Sequence, residues 1–176
     1  MKAKKHLLSV ALSGMFLALA YVLPFFTGQI PEIGSMLCPM HIPVLICGFV
    51  CGWQYAALVG AIAPILRSVI AGMPPMYPIA LEMMFELAAY GLFSGLLYKI
   101  FPKKNAYIYP ALIISMLAGR CVWGVARLIM SGVSGTEFTF AMFMAGAFTN
   151  ALPAIIIHIL LIPPVVMALN KSGLTK

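Results

Sequence analysis

The chain has 176 residues, of which 63 % are hydrophobic and only 9 % are charged. A soluble domain averages about 45–50 % apolar and about 25 % charged residues, so this composition excludes a soluble globular protein, a disordered chain and a coiled coil. The net charge of +7 would also suit a nucleic-acid binder. Most of the lysines, however, lie in short clusters between apolar runs, which excludes that class. The composition predicts a single compact membrane domain over residues 1–176.

Six apolar segments predict an all-α integral membrane protein with six transmembrane helices, since a helical span needs about 20 residues. The segments run approximately over 7–27, 39–52, 54–72, 78–98, 106–130 and 139–169. The second is short. The last is long enough to be kinked at Pro153 or to begin with an interfacial segment at Glu137–Phe148. The first lacks a small-x-small cleavage site, so we expect a retained span and not a signal peptide.

The positions of the lysines predict the orientation of the chain. With the N-terminus inside, the cytoplasmic pieces hold all of them, namely Lys2, Lys4, Lys5, Lys99, Lys103, Lys104, Lys171 and Lys176. The outer loops, 28–38, 73–77 and 131–138, carry only Glu32 and Glu137. Both termini are therefore predicted to be cytoplasmic.

Five ionisable residues fall inside the predicted spans, where each costs about 2.5–3.5 kcal/mol unless it has a partner or a wet cavity. They are Arg67, Glu82, Glu86, Arg120 and Arg127. The two glutamates share one helix face because they are four residues apart, and Arg120 and Arg127, seven apart, share another. Two facing helices and Arg67 then form a cluster in the outer half of the membrane. Three arginines against two glutamates leave one positive charge over, which favours a carboxylate-bearing ligand.

Other residues complete the predicted ligand site. The further candidates are His41, Tyr77, Trp123 and Asn150. Gly124 shares a face with the two arginines and would leave space for a group to approach the backbone. The loop over residues 28–38 has glycines at both ends and is a candidate lid over the site.

Structural explanations for several of these residues stay open. Arg67 and one glutamate can equally form an ion pair that only ties helices together. His41 can lie at the membrane interface, and Asn150 can hydrogen-bond between helices. His158 is expected in the inner half, apart from the other polar residues, as a packed or pore-facing side chain.

The first span carries a ridge of small residues, Ala11, Gly14 and Ala18. Such ridges let a second helix approach closely. Ordinary packing inside the protein explains the ridge equally well. Because the chain has no energising machinery of its own, we expect the ridge to dock a partner protein.

The chain lacks the residues that most catalytic and metal sites require. It contains no Asp, its three histidines are dispersed, and its four cysteines show no CxxC spacing. No P-loop and no GxGxxG motif occurs. We therefore expect no enzymatic activity, no metal site and no cofactor.

Three stretches are the most informative: "LLSVALSGMFLALAYVLPF", the block from "MHIPVLICGFVCGW" to "FELAAYGLFSGLLYK", and "MLAGRCVWGVA". In these stretches, and in size and order of features, the chain resembles the substrate-binding (S) components of energy-coupling factor (ECF) vitamin transporters. The resemblance implies a six-helix protein of the cell membrane that binds a micronutrient at its outer face. It also implies partners, a transmembrane coupling subunit and two cytosolic ATPase subunits.

The resemblance also implies which residues act. The ligand site of the family is made by spans four to six and the outer loops, which here carry the 28–38 loop, Glu82, Glu86, Arg120, Trp123, Arg127 and Asn150. The first helix of the family carries an Ala-x-x-x-Ala ridge for the coupling subunit. Gly14-x-x-x-Ala18 is the nearest match in this chain.

Within the family, the chain looks most like the pantothenate group. The surplus arginine supports this choice, since pantothenate is a small carboxylate. The aromatic residues of the predicted site are few, mainly Tyr77, Tyr90 and Trp123, which argues against a flat-ring ligand such as riboflavin. Folate and pyridoxine-like compounds stay open, as does a self-sufficient secondary transporter. The scarcity of polar groups in the inner half argues against the secondary transporter.

Overall fold

The computed structural model describes residues 2–27, 36–102 and 104–173, and the regular elements in these ranges are all helical. The helices are α1 (Lys2–Val22), α2 (His41–Cys51), α3 (Trp53–Ala71), α4 (Leu81–Ile100), α5 (Ile108–Ser134), α6 (Phe140–Met144) and α7 (Leu152–Lys171). Short 3-10 or π-helical turns occupy Leu23–Thr27, Met76–Ala80, Asn105–Tyr107 and Ala145–Thr149. The prediction of an all-α protein is confirmed for these ranges.

Within these ranges, five helical segments are long and apolar enough to cross a membrane. They are His6–Phe26, Trp53–Ala71, Met76–Ile100, Asn105–Ser134 and Phe140–Lys171. The α2 helix is apolar but has only 11 residues. At 1.5 Å per residue it extends about 17 Å, roughly half of a hydrocarbon core. The sixth span therefore stays a prediction.

The α4 helix lies at the centre of the bundle, where it packs against α2, α3 and α5. The α1 helix packs against α2 and α3, and α7 contacts α2 and α5. We call the end at which α3 connects to α4 the upper end, and the end at which α2 connects to α3 the lower end. A hydrogen bond from the Tyr98 hydroxyl to Asn170 (3.1 Å) joins α4 to α7 at the lower end.

Small residues bring α3 and α4 into close contact. A Cβ atom added to Gly60 would collide with the backbone of Leu87, and one added to Gly91 would collide with the backbone of Ala56. Helices in membranes commonly associate through such small residues, because dispersion contacts between their backbones replace contacts with lipid. The α4 helix is thereby held against α3 along its length, which fixes the position of its acidic face.

Only Gly52 separates α2 from α3, and its φ of 95° lies in the left-handed region that favours glycine. The chain reverses there without a loop, so α2 and α3 form a tight antiparallel pair. The upper end of α2, where His41 lies, is thereby placed inside the bundle next to α4.

The last predicted span is interrupted near its start. A turn at Asn150–Ala151 separates the Phe140–Thr149 segment from α7, and Pro153, which has no N–H group, follows at once. This turn moves the start of α7 to Leu152, so His158 lies in its second turn, close to the upper end. The expectation that His158 lies apart from the other polar residues is wrong.

Residues 28–35, which form most of the predicted lid over 28–38, lie outside the described ranges. The lid therefore stays a prediction. Lys103 and Lys176 are also outside those ranges.

Candidate ligand site

Four helices bring polar side chains together below the upper end of the bundle. His41 is the first residue of α2, Glu86 and Tyr90 lie on adjacent turns of α4, Arg120 comes from α5 and His158 from α7. With Cys38 they form a set that we call the polar cluster. Each of the six residues is at most 9 % exposed. Such a concentration of buried polarity in an apolar bundle marks a functional site by default.

Glu86 is the centre of the polar cluster. Its Oε1 atom lies 2.9 Å from Nη1 of Arg120 and accepts a hydrogen bond of 2.9 Å from the Tyr90 hydroxyl. Nε2 of His41 lies 3.6 Å from the same oxygen. Arg120 also reaches the thiol of Cys38, with Nη2 3.9 Å from Sγ. A buried carboxylate needs an opposite charge and additional donors, and Glu86 has both.

A second ion pair lies nearer the upper end. Nη1 of Arg127 donates to Oε1 of Glu82 at 2.9 Å, and we call these two residues the rim pair. The Arg127 side chain is 31 % exposed, whereas that of Glu82 is only 4 % exposed. Seven residues of helix separate Arg127 from Arg120, or about 10 Å along the axis. The acidic face of α4 and the basic face of α5 therefore meet at two levels, which we call tiers. The pair Glu86–Arg120 forms the deeper tier, and the rim pair forms the upper tier.

Arg67 has a different environment. Its Nη1 atom donates to the backbone carbonyl of Tyr21 (2.9 Å), and its guanidinium lies 4.8 Å from the centre of the Phe25 ring. A cation at the carboxyl end of a helix stabilises its free carbonyl groups, so Arg67 supports the end of α1. The surplus positive charge expected in the site is therefore held beside α1, while Glu82 and Glu86 each pair with another arginine. A ligand-binding role for Arg67 stays a prediction.

An aromatic cluster covers α5 between the two tiers. The Trp123 ring stacks with Phe143 (6.2 Å between centroids) and meets Phe138 edge-on (6.0 Å). Phe140 and Phe148 pack against Phe143 in turn. The space that the sequence predicts above Gly124 is filled by the Phe143 ring. The segment 138–148 thus brings more aromatic surface to the site than the sequence predicts.

Two of the predicted site residues lie at the surface of the upper end. Tyr77 is 49 % exposed, and its hydroxyl donates to the Met130 carbonyl at 3.2 Å. Asn150 is exposed in the turn before α7, and its backbone N–H donates to the Ala145 carbonyl at 2.8 Å. A ligand-binding role for Tyr77 and Asn150 stays a prediction.

The predicted docking ridge of α1 faces away from the bundle. Ala11, Gly14 and Ala18 are exposed, and a Cβ atom added to Gly14 would meet no neighbour within 4 Å. The opposite face of α1 packs inward through its buried residues, Ser9, Ser13, Phe16 and Ala20. The exposed ridge is therefore open to a partner helix.

A cavity of about 320 Å³ lies at the other end of the bundle, lined by residues around the α2–α3 turn and the end of α4, including Trp53, Tyr98 and Lys99. It shares no residue with the polar cluster, and α2 separates the two by about 15 Å. Among the described residues, no group of three or more His, Cys, Asp or Glu is placed to hold a metal ion. The polar cluster, which contains both ion-pair partners and uncharged donors, is the better candidate site.

Several apolar helices around a buried polar cluster are the arrangement of a multi-pass membrane protein. Residues 8–166 match the family model described as ECF transporter, substrate-specific component. The match covers well over half of the chain, so the protein belongs to this family, and the resemblance seen in the sequence is confirmed at that level. No curated protein and no solved structure matches the chain.

Membership of the family gives the protein its general role. The chain is a substrate-capture component of a transporter. Its family is a transporter family and not an enzyme family. In general terms, the family implies a vitamin as substrate and the ECF module as partner.

Proposed function

We propose that this protein captures a small water-soluble vitamin, with pantothenate as the best candidate, for an ATP-driven ECF importer of the cell membrane. The observation that carries the proposal is the two-tier arrangement of Glu82–Arg127 above Glu86–Arg120. It places charged groups in one half of the bundle, where a solute can enter from a single side and be held.

The proposed topology has six spans, an outer upper end and cytoplasmic termini. Lys2, Lys4 and Lys5 begin α1, Lys99 lies near the end of α4, and Lys171 ends α7. The His6 and Tyr55 rings, 5.8 Å apart, pair the start of α1 with the start of α3 at the lower end. A lower end rich in lysine supports a cytoplasmic position for it.

In this proposal Arg127 binds the ligand carboxylate. A guanidinium has five N–H donors, and the described contact with Glu82 engages only Nη1. The exposed part of Arg127 can thus form a paired hydrogen bond to an incoming carboxylate while Glu82 keeps the side chain in place. Glu86 and Arg120, which are deeper, hold α4 and α5 at the distance that the ligand requires.

A ring-bearing vitamin such as riboflavin, folate or a pyridoxine-like compound is the second candidate ligand. The aromatic cluster favours it, since Trp123 and Phe143 offer flat surfaces against which a ring can stack. In that case the aromatic residues supply most of the affinity, and the rim pair contributes orientation.

The partners follow from the same proposal. The exposed ridge of Ala11, Gly14 and Ala18 would dock the transmembrane coupling subunit, because small residues allow helix backbones to approach. Two cytosolic ATPase subunits would supply the energy, since this sequence has no nucleotide-binding motif.

The test is a panel of water-soluble vitamins added to the purified protein in detergent, with thermal stabilisation and equilibrium binding as readouts. We expect pantothenate to raise the melting temperature in a saturable way. Arg127→Gln should weaken its binding roughly 10- to 100-fold, the effect of losing a hydrogen bond to a charged group. Lys171→Gln, which removes an exposed cation at the lower end of the bundle, is the control and should bind as the wild type does. No stabilisation by any vitamin would contradict the proposed function.

A further inference from the structure

Two buried histidines face each other beside Glu86, and of the two only His41 contacts its carboxylate. The His41 and His158 rings are stacked, with centroids 6.1 Å apart and an angle of 24° between the planes. His41 is 3 % exposed and His158 is 2 % exposed. In the part of the chain that the structure describes, neither nitrogen of His41 has a hydrogen-bond partner, and nor does Nε2 of His158.

A buried nitrogen without a hydrogen bond is energetically unfavourable. Buried polar groups in proteins are nearly always hydrogen-bonded, because an unpaired one loses its contact with water and gains nothing in return. Nε2 of His41 at least faces the Glu86 carboxylate, at 3.6 Å, so Nδ1 of His41 and Nε2 of His158 are the two nitrogens on adjacent rings for which packing offers no explanation. Water or a ligand must supply the missing hydrogen bonds.

The contacts of His158 define what its free nitrogen can do. Its imidazole donates a hydrogen bond to the backbone of Cys38, and Nδ1 is the donor because Nε2 is the unpaired atom. A neutral imidazole that donates from Nδ1 carries a lone pair on Nε2. Nε2 of His158 is therefore an acceptor that matches a hydroxyl or an amide N–H.

We propose that His41 and His158 form the floor of the ligand site and bind the hydrogen-bonding end of the ligand. His41 contacts Glu86, the partner of Arg120, so the floor lies at the deeper tier, about 10 Å along the helix axis from Arg127. An acid group bound at Arg127 and a hydroxyl bound at His158 require an elongated ligand. The inference rests on the proposed function, and it assigns His158 a binding role that the sequence did not predict.

The ligand class follows from this geometry. It is an elongated acid that carries hydroxyl or amide donors at the end opposite to its carboxylate. Pantothenate has this form, with a diol at the far end. A flat ring that only stacks on Trp123 leaves the two histidines unpaired.

The test compares His158→Asn with His158→Gln in the full-length protein. The Asn amide replaces Nδ1, so it can still reach the Cys38 backbone but leaves nothing at the position of Nε2. The Gln amide reaches the position of Nε2. We expect His158→Asn to weaken pantothenate binding at least about 10-fold, the loss of one buried hydrogen bond, and His158→Gln to retain affinity to within about 3-fold.

A second probe separates binding from structure. A pantothenate analogue without its two hydroxyls should bind the wild type and His158→Asn equally, because the group that meets Nε2 is gone. An equal loss of affinity for both probes in His158→Asn would overturn the inference, and so would wild-type affinity in both variants. If the wild type binds another vitamin and ignores pantothenate, the inference fails while the capture function stands. If the wild type binds no vitamin, both fail.

Discussion

Glu86 is a carboxylate that Arg120, Tyr90 and His41 surround inside the membrane-spanning bundle. Its charge is acceptable there only because these groups replace water. Removing one partner of a buried ion pair leaves an uncompensated charge, whereas removing both leaves none. The effect of replacing one or both residues of the Glu86–Arg120 pair on the free energy of unfolding can therefore be predicted.

Arg120→Gln should lower the free energy of unfolding by about 3 kcal/mol, because Glu86 is left buried without its cation. The double variant Glu86→Gln/Arg120→Gln should recover most of this loss, since two neutral amides can pair. Denaturant titration in mixed micelles measures both. Equal destabilisation of the single and the double variant would show that Glu86 and Arg120 are not coupled.

For individual residues, the sequence predicts which charged side chains pair but not every residue that contacts them. The spacing of Glu82 and Glu86, and of Arg120 and Arg127, is enough to place an acidic face against a basic one. A count of charges cannot locate Arg67, whose partner is a backbone carbonyl of α1. The position of His158 beside His41 was missed because it depends on where α7 begins, and that start follows the turn at Asn150–Ala151.

The contact between α3 and α4 governs the site at the level of the helices. Gly91 lies against the backbone of Ala56, so no side chain fits between them. Because α4 carries both glutamates, any shift of this contact moves the acidic residues of both tiers. The stability of the packing between α3 and α4 and the geometry of the site are therefore linked.

Gly91→Ala should destabilise the protein by about 1–3 kcal/mol, the usual cost of overpacking. It should also weaken ligand binding, since α4 must move away from α3. Gly132→Ala on α5 is the matched control, because a Cβ atom there meets nothing within 4 Å. Thermal unfolding of the three proteins in one detergent checks the prediction. A melting temperature for Gly91→Ala equal to that of the control would contradict the close packing of α3 and α4.

Hydropathy locates the helices well because each apolar run must be helical to satisfy its backbone hydrogen bonds in a membrane. Hydropathy does not reveal where a turn divides one apolar segment into two helices. Residues 139–169 are continuous in hydropathy, yet the turn at Asn150–Ala151 splits them, and only Pro153 signals it. The sequence allows a separate segment at Glu137–Phe148 but does not show that it packs over α5, so the aromatic cluster was missed.

For the molecule as a whole, the proposed binding site and the proposed docking surface lie on different parts of the bundle. The exposed ridge on α1 faces outward, and the polar cluster is formed without any α1 residue. Changes on the ridge should therefore separate capture from transport.

Gly14→Leu should abolish vitamin uptake by cells that express the coupling subunit and ATPases, while the purified variant binds the vitamin with wild-type affinity. The leucine keeps the partner helix at a distance, and a lipid-facing surface tolerates it otherwise. Gly132→Leu, also at an exposed glycine, should leave both binding and uptake intact. Normal uptake by Gly14→Leu would remove the ridge from the docking surface.

Uptake of radiolabelled pantothenate into proteoliposomes tests the central claim most directly. The protein is reconstituted alone, with an ion gradient, or together with the coupling subunit and both ATPases. A capture component should accumulate the vitamin only with the complete module and ATP, because the buried Arg, Glu and His residues of the described ranges lie toward the upper end of the bundle. Gradient-driven accumulation by the protein alone would contradict the account and identify a self-sufficient transporter.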